Sequence, residues 1–435
     1  MAQTPINGQA APVVPKTPDV VAPPPLSLEP PSVVEIGAKP LTLAEAVAIA
    51  LRKQPQMLAA QGNLTIAIGQ TEQSTSALRP QLSATASAGQ TFTFVGYANQ
   101  PSAVALGLAL TQLLYDFGRT RDQIRQQQAL QRSAEQNVSV TMVSVTLQVK
   151  QDYYSFLQAK DDVDLEAADV ANRKRQLEEA SARVTSGIGA PSDLVQAKTN
   201  QAEANISLVS FRNAALSAQV QLALDLGIDP RTPISPVATQ EQPVAEEGNL
   251  KALVTTALSQ RPDVHSAREQ LAAATYGLAA AKKGLLPVVT VSAGAGGTGV
   301  SDPFVSQFGT VSLGLTWTFS DGGSTAGQIK QQVGASQVAR ANLDTVSQQA
   351  IADVSNASVD LAAALQRLEL SQTESLNAQE LVRISEGLYD GGLGQFLDIT
   401  NAQASLVTAQ TNLVQAKADV QRARARLRYA IGAMA

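Results

Sequence analysis

A chain of 435 residues with a formal charge of −5, no cysteine and a single histidine, His265, cannot build thiolate zinc sites, multi-histidine metal clusters or cysteine nucleophiles. It also lacks the clustered Lys and Arg that nucleic-acid binding demands. Only 4% of it is aromatic, so Ala and Gln must fill much of what packs.

The first residues, 1–40, are dense in proline and read as an extended, mobile arm. No run is apolar enough for a membrane-spanning helix, which needs ~18 residues, and no secretory signal precedes the arm. The expectation is a mature chain, soluble or meeting a membrane without helices, and without a lipidated cysteine. A first repeat, 41–226, opens on a helix with Thr42 and Glu45 as a capping box. Two strands follow, about 80–98 and 101–116, then a very long helix, 119–187, and a shorter one, 191–226. The long helix carries Leu130, Ala134, Val138, Met142, Val145, Val149, Tyr153 and Phe156 at steps of three and four, and would measure about 100 Å.

A Pro-rich, acidic linker, 227–249, cannot continue a helix and is expected at mid-height. The second repeat, 250–432, uses the same order: a helix, strands about 287–300 and 304–319, a long helix 324–390 and a short helix 394–431. LTLAEAVAIALRKQP resembles GNLKALVTTALSQRP, with Pro55 aligned to Pro262. DFGRTRDQI resembles DGGSTAGQI, and SGIGAPSDLVQA resembles GGLGQFLDITNA. An internal duplication accounts for all of these. The last helix carries an unbroken seam, Ile399, Ala402, Leu406, Ala409, Leu413, Ala416, Val420, Ala423, Leu427 and Ala430, whose period by itself fits a soluble coiled-coil scaffold.

The strands point elsewhere. Val104, Leu106, Leu108 and Leu110 alternate with Ala105, Gly107, Ala109 and Thr111. Val311, Leu313, Leu315, Trp317 and Phe319 alternate with Ser, Thr and Gly. One apolar and one small polar face suits a barrel strand between lipid and water. Phe92, Phe94, Tyr97, Phe304 and Phe308 fall towards one end of the strands and Tyr115, Phe117, Trp317 and Phe319 towards the other, as two interfacial girdles would. Four strands cannot close a barrel, so three copies with twelve strands are expected, continued by a ring of long helices. Within the third strand GAGGTG matches the G-x-G-x-x-G fingerprint of dinucleotide-binding enzymes, but no helix and no acidic residue ~20 positions on follow it. Neither catalytic residues nor a metal or cofactor site is expected. The glycines are expected to give the third strand a flexible end and a loop at the outer mouth.

The duplicated unit, with Y389-x-x-G392-x5-D398 leading into the Ala-rich last helix, resembles the TolC family of bacterial outer-membrane efflux ducts over residues 41–432. The resemblance implies a mainly α-helical homotrimer, with a β-barrel in outer-membrane lipid and an α-helical barrel crossing the periplasm. It also implies a periplasmic adaptor and an inner-membrane transporter as partners, and passive export. At the helical tips Gly187, Gly189, Gly391, Gly392 and Gly394 are expected to make tight turns at positive φ. Asp193 and Asp398 occupy the first turns that follow, where the helix dipole favours a carboxylate. Carried over by position, Asp398 is the pore-ring residue, Tyr389 ties the helical pairs together and Asp193 is its partner. Three Asp398 side chains near an axis would bind cations or await protonation. Where the family carries an arginine and a second acid this chain has Gly394 and Asn401, so a salt-bridged gate is not expected. Apolar closure through Phe396 or Leu397 stays open as the alternative.

Overall fold

The structure is a computed structural model that describes residues 40–89, 103–238, 249–299 and 306–433. The Pro-rich arm and most of the acidic part of the linker lie outside the described residues, as do Phe92, Phe94, Tyr97 and Phe304. The elements are α1 (Leu43–Lys53), α2 (Pro55–Ser76), β1 (Gln81–Gly89), β2 (Ala103–Tyr115), α3 (Arg119–Thr185), α4 (Pro191–Asp225), α5 (Leu250–Gln260), α6 (Pro262–Lys282), β3 (Val288–Gly299), β4 (Ser306–Thr316), α7 (Ser324–Asp390) and α8 (Phe396–Ala430). One order of elements occurs twice, with 67 residues in each of α3 and α7 and 35 in each of α4 and α8.

Each opening helix is two helices. Pro55 and Pro262 lack an N–H to continue the ladder, and Gln54 and Arg261 before them adopt extended backbone at ψ 124° and 125°. The breaks receive the ends of α4 and α8. Gly227 (φ 66°) and Gly432 (φ 75°) close Schellman turns there, with Ile228 N–H donating to Ala223 O at 3.0 Å and Ala433 N–H to Arg428 O at 3.0 Å. A Cβ on Gly227 would sit 2.8 Å from the Lys53 carbonyl oxygen, and one on Gly432 3.0 Å from Arg261 Cα. Around each junction lies an apolar core: Ala46, Ala50, Val149, Tyr153, Leu222 and Leu226 in the first half, Leu253, Ala257, Val354, Leu361, Val420 and Leu427 in the second. The start of the linker is pinned to the first core, where the Tyr153 hydroxyl lies 2.8 Å from the Leu41 carbonyl and 2.7 Å from that of Val237.

The strands form one antiparallel sheet in the order β1-β2-β3-β4. The passage from sheet to long helix is built the same way twice. Asp116 accepts from the N–H groups of Gly118 (3.0 Å) and Thr120 (2.6 Å), and Asp321 from those of Gly323 (3.0 Å) and Thr325 (2.6 Å). Gly118 and Gly323 take φ 81° and 92° to begin α3 and α7. Side-by-side partners share a face, so the register puts Leu82, Leu106, Leu108, Val311, Leu313 and Leu315 on one side, and Ser83, Thr85, Ala109, Ser292, Thr310 and Ser312 on the other.

Three expectations change. The fingerprint glycines belong to β3 itself, paired to β2 and β4 from Gly294 to Gly297 and to β2 at Gly299, so their backbone is committed to the ladder and forms no loose end. β4 stops at Thr316, and Trp317 and Phe319 follow it with their rings tilted at 4.5 Å, while Tyr115 and Phe117 at the end of β2 make an edge-to-face pair at 4.8 Å. These four rings form one level, at the helical end of the sheet. Phe308 lies opposite Gly296 on the Ser/Thr face and is no member of a girdle on the apolar face, because side chains two apart share a side.

Replacing Gly227 by Ala forces a β-carbon onto the Lys53 carbonyl and strains a left-handed backbone. Chemical denaturation is expected to show a loss of about 1–3 kcal/mol; an unchanged midpoint would show that the junction tolerates a side chain.

Candidate functional site at the helical tips

Below the junctions α3 pairs with α4 and α7 with α8, and the two pairs meet along α3 and α8. At the far end each long helix reverses through a Gly-closed Schellman turn. Ile188 N–H donates to Arg183 O at 3.1 Å and Leu393 N–H to Leu388 O at 2.9 Å. Only Gly187 (φ 76°) and Gly392 (φ 74°) of the tip glycines have positive φ; Gly391 is the helix C-cap at φ −74°. Gly189 and Gly394 are needed for a different reason. Added β-carbons would approach the Arg183 backbone carbon to 2.9 Å and the Tyr389 amide to 3.0 Å.

Tyr389 and Asp193 are brought together, the hydroxyl donating to Asp193 Oδ2 at 3.4 Å and so linking α7 to α4. Burial pushes the Tyr389 hydroxyl above its ordinary value, the Asp193 charge adds to this, and the Arg183 charge opposes it. Arg183, at the end of α3, lies 4.5 Å over the Tyr389 ring and pairs with Asp390 at 2.6 Å. An ion pair therefore crosses between the helical pairs after all, supplied from α3 rather than from position 394. Sequence reasoning missed Arg183 because nothing local marks it among the charged residues of that turn, and the repeated segment SGIGAPSDLVQA begins only at Ser186.

Asp398 caps its own helix, accepting from Gln395 N–H at 3.0 Å. Phe396 is buried against Ala180 and Ala197, with its ring 5.8 Å from that of Tyr389. It is spent on the tip core and is not presented for apolar closure; Leu397 and Asn401 are exposed.

The seam between the pairs differs from the seams within them. The buried residues of α8 include Ile399, Ala402, Ala409, Ala416, Val420 and Ala423. On α3, by contrast, Asp162, Glu166, Asp169, Arg173 and Gln176 are buried at steps of four and three. Gln403 of α8 donates to Asp169 at 3.2 Å and Arg173 pairs with Asp169 at 3.3 Å. Asp162 Oδ1, Arg173 Nη1 and Gln176 Oε1 have no hydrogen-bond partner among the described residues. Burial raises the pKa of Asp162 and of Glu166. A hydrophobic-period search passes over such a row. Near the first junction, burial pushes Asp152 up to about 7; the hydrogen bond and charge of Asp225 add to this, and Gln148 opposes it.

A sequence model of the family described as outer membrane efflux protein matches residues 46–227 and 253–433. The chain is 24% identical over 312 residues to the outer membrane efflux protein BepC of Brucella suis biovar 1, covering 69% of this chain and 66% of that protein. That share is just under two-thirds of the relative. It is also 24% identical over 408 residues to the outer membrane protein TolC of Vibrio cholerae serotype O1, covering 90% and 91%. Among solved structures, the outer membrane protein VceC of Vibrio cholerae superposes with a TM-score of 0.78 at 20% identity, covering 90% of this chain and 96% of that one.

Because the folded value of Asp152 stands above its unfolded value of 3.8, the neutral form is the stabilising one. That contribution is complete below the unfolded value and is lost as pH rises through about 7. Asp152→Asn stays neutral throughout, so its thermal midpoint is expected to fall less than the wild type's between about pH 4 and pH 8. Equal falls would remove the pair from the pH response.

Proposed function

The chain belongs to the outer membrane efflux protein family, and on that premise we propose that it is the outer-membrane channel-tunnel of a tripartite efflux or type I secretion system. It conducts substrates passively from a periplasmic adaptor and an inner-membrane transporter to the exterior, and carries out no catalysis.

The observation that carries this reading is the side-by-side order of the elements. The sheet runs β1-β2-β3-β4, the helices nearest it α2-α3-α6-α7, and those beyond the junctions α4-α3-α8-α7. One flank of the chain is therefore β1, α2 and α4, and the other is β4 and α7. Both are unfinished. Among the described residues β1 and β4 each leave one backbone edge unpaired, which hydrocarbon does not tolerate. On α4, Val195, Ile206, Val209, Leu216 and Val220 form an exposed row at heptad steps, and on α7 Leu370, Leu381, Ile384 and Leu388 do the same. Joining unlike flanks is a head-to-tail contact that closes into a ring. Three copies of four strands make a barrel of twelve, with the Leu/Val face towards lipid and the Ser/Thr face towards water. A soluble scaffold would leave that apolar face without a purpose.

The tips are the gate of this reading. Tyr389–Asp193 and Arg183–Asp390 hold the pairs together at the entrance, while the polar α3–α8 seam above them is the softer contact along which the pairs separate. Asp398, with Leu397 and Asn401 beside it, lines the closed entrance.

In detergent the protein is expected to run as three copies and to form channels in planar bilayers. A monomer soluble without detergent would end the proposal. Lysines at Val209 and Leu216 should disperse the trimer. Combining Tyr389→Phe with Arg183→Ala removes about 1–2 kcal/mol of closure and should raise resting conductance severalfold. Asp398→Ala should weaken block by divalent cations, and an unchanged block would take Asp398 out of the gate.

A further inference from the structure

We infer that Phe308 is a lumen-facing ring in the wall of the β-barrel, where it narrows the passage and offers an aromatic face to apolar and cationic cargo; this rests on the channel reading above.

The register fixes its side. Thr85, Gly107, Gly296 and Phe308 stand opposite one another across all four strands, so they share one face. Two residues along, the same face carries Thr310 opposite Gly294, then Ser312 opposite Ser292. Phe308 is the only aromatic on this face among the described strand residues. The backbone makes room for it: a β-carbon on Gly296 would lie 2.9 Å from Phe308 Cζ and 2.6 Å from the Leu106 carbonyl oxygen. The ring therefore lies over a strip of bare backbone, half of its surface still open at 52% exposure.

Moving Phe308 to the lipid side requires a slip of one residue in β4. Such a slip would turn Val311, Leu313 and Leu315, exposed at 81, 70 and 67%, into the water-filled side. Everything near Phe308 on its own face is Ser, Thr, Ala or Gly, so the ring stands out from an otherwise small-residue wall. Three copies place three rings at one height. The π faces attract cations and apolar bodies more strongly than the hydroxyl-lined wall does, and the GAGGTG run is the floor that lets the rings fit.

The chain contains no cysteine, so Phe308→Cys introduces one thiol per copy. The full-length trimer in a planar bilayer is exposed to a charged, membrane-impermeant methanethiosulfonate. Stepwise loss of conductance is expected for Phe308→Cys, with none for wild type or Leu313→Cys on the opposite face. A Phe308→Cys channel that the reagent leaves unchanged overturns the placement. Channels absent from the wild type itself would overturn the channel reading instead. Tetraphenylphosphonium supplies the second measurement: its block should weaken severalfold in Phe308→Ala and persist in Phe308→Tyr. Equal block in all three overturns the role in cargo contact.

Discussion

A helix of 67 residues has no partner of its own length among the remaining elements of its half, and most of this architecture follows from that mismatch. In a folded protein most of a helix's stability comes from packing its apolar face against neighbours. Its surface must be covered in two stages, by α4 or α8 over one stretch and by α2 or α6 over the other. The stages meet where a Pro-broken helix receives a Gly-closed one, and there the largest cores collect. The junction works only because Gly227 and Gly432 bring backbone against backbone without a side chain between.

Below the junctions cohesion is divided unevenly. α7 and α8 share an apolar, Ala-rich seam that brings their axes close. The contact between the pairs buries carboxylates, a guanidinium and amides that are only partly satisfied. Burying such groups gains little net free energy and sometimes loses it. Between the pairs the contact is more polar than within α7–α8, and at the tips Arg183, Tyr389, Asp193 and Asp390 clasp them beside the Phe396 core.

The sheet obeys a different rule from the helices, because its two faces are chemically opposite and parity assigns the residues to them, apart from the register shift between Leu113 and Tyr115. Alternation was legible in β2 and β4 from the sequence, and the same parity places Phe308 with Thr310 and Ser312. Grouping it with the strand-end aromatics followed position along the strand and ignored the side. The breaks at Pro55 and Pro262 were equally open to reading, since an aligned proline inside a helical pattern removes a hydrogen bond in both halves.

What the sequence by itself determined is what acts over a few residues: helical seams at steps of three and four, strand parity, and the glycine reversals at Gly187 and Gly392. Its repeats also carried the order of elements and the resemblance to outer-membrane efflux ducts. Only the tertiary structure decided which groups meet. Arg183 finds Asp390 207 residues away, and Gln403 finds Asp169 across 234. No local period encodes those contacts, because they depend on the axial offset and rotation between helices that lie far apart in the chain.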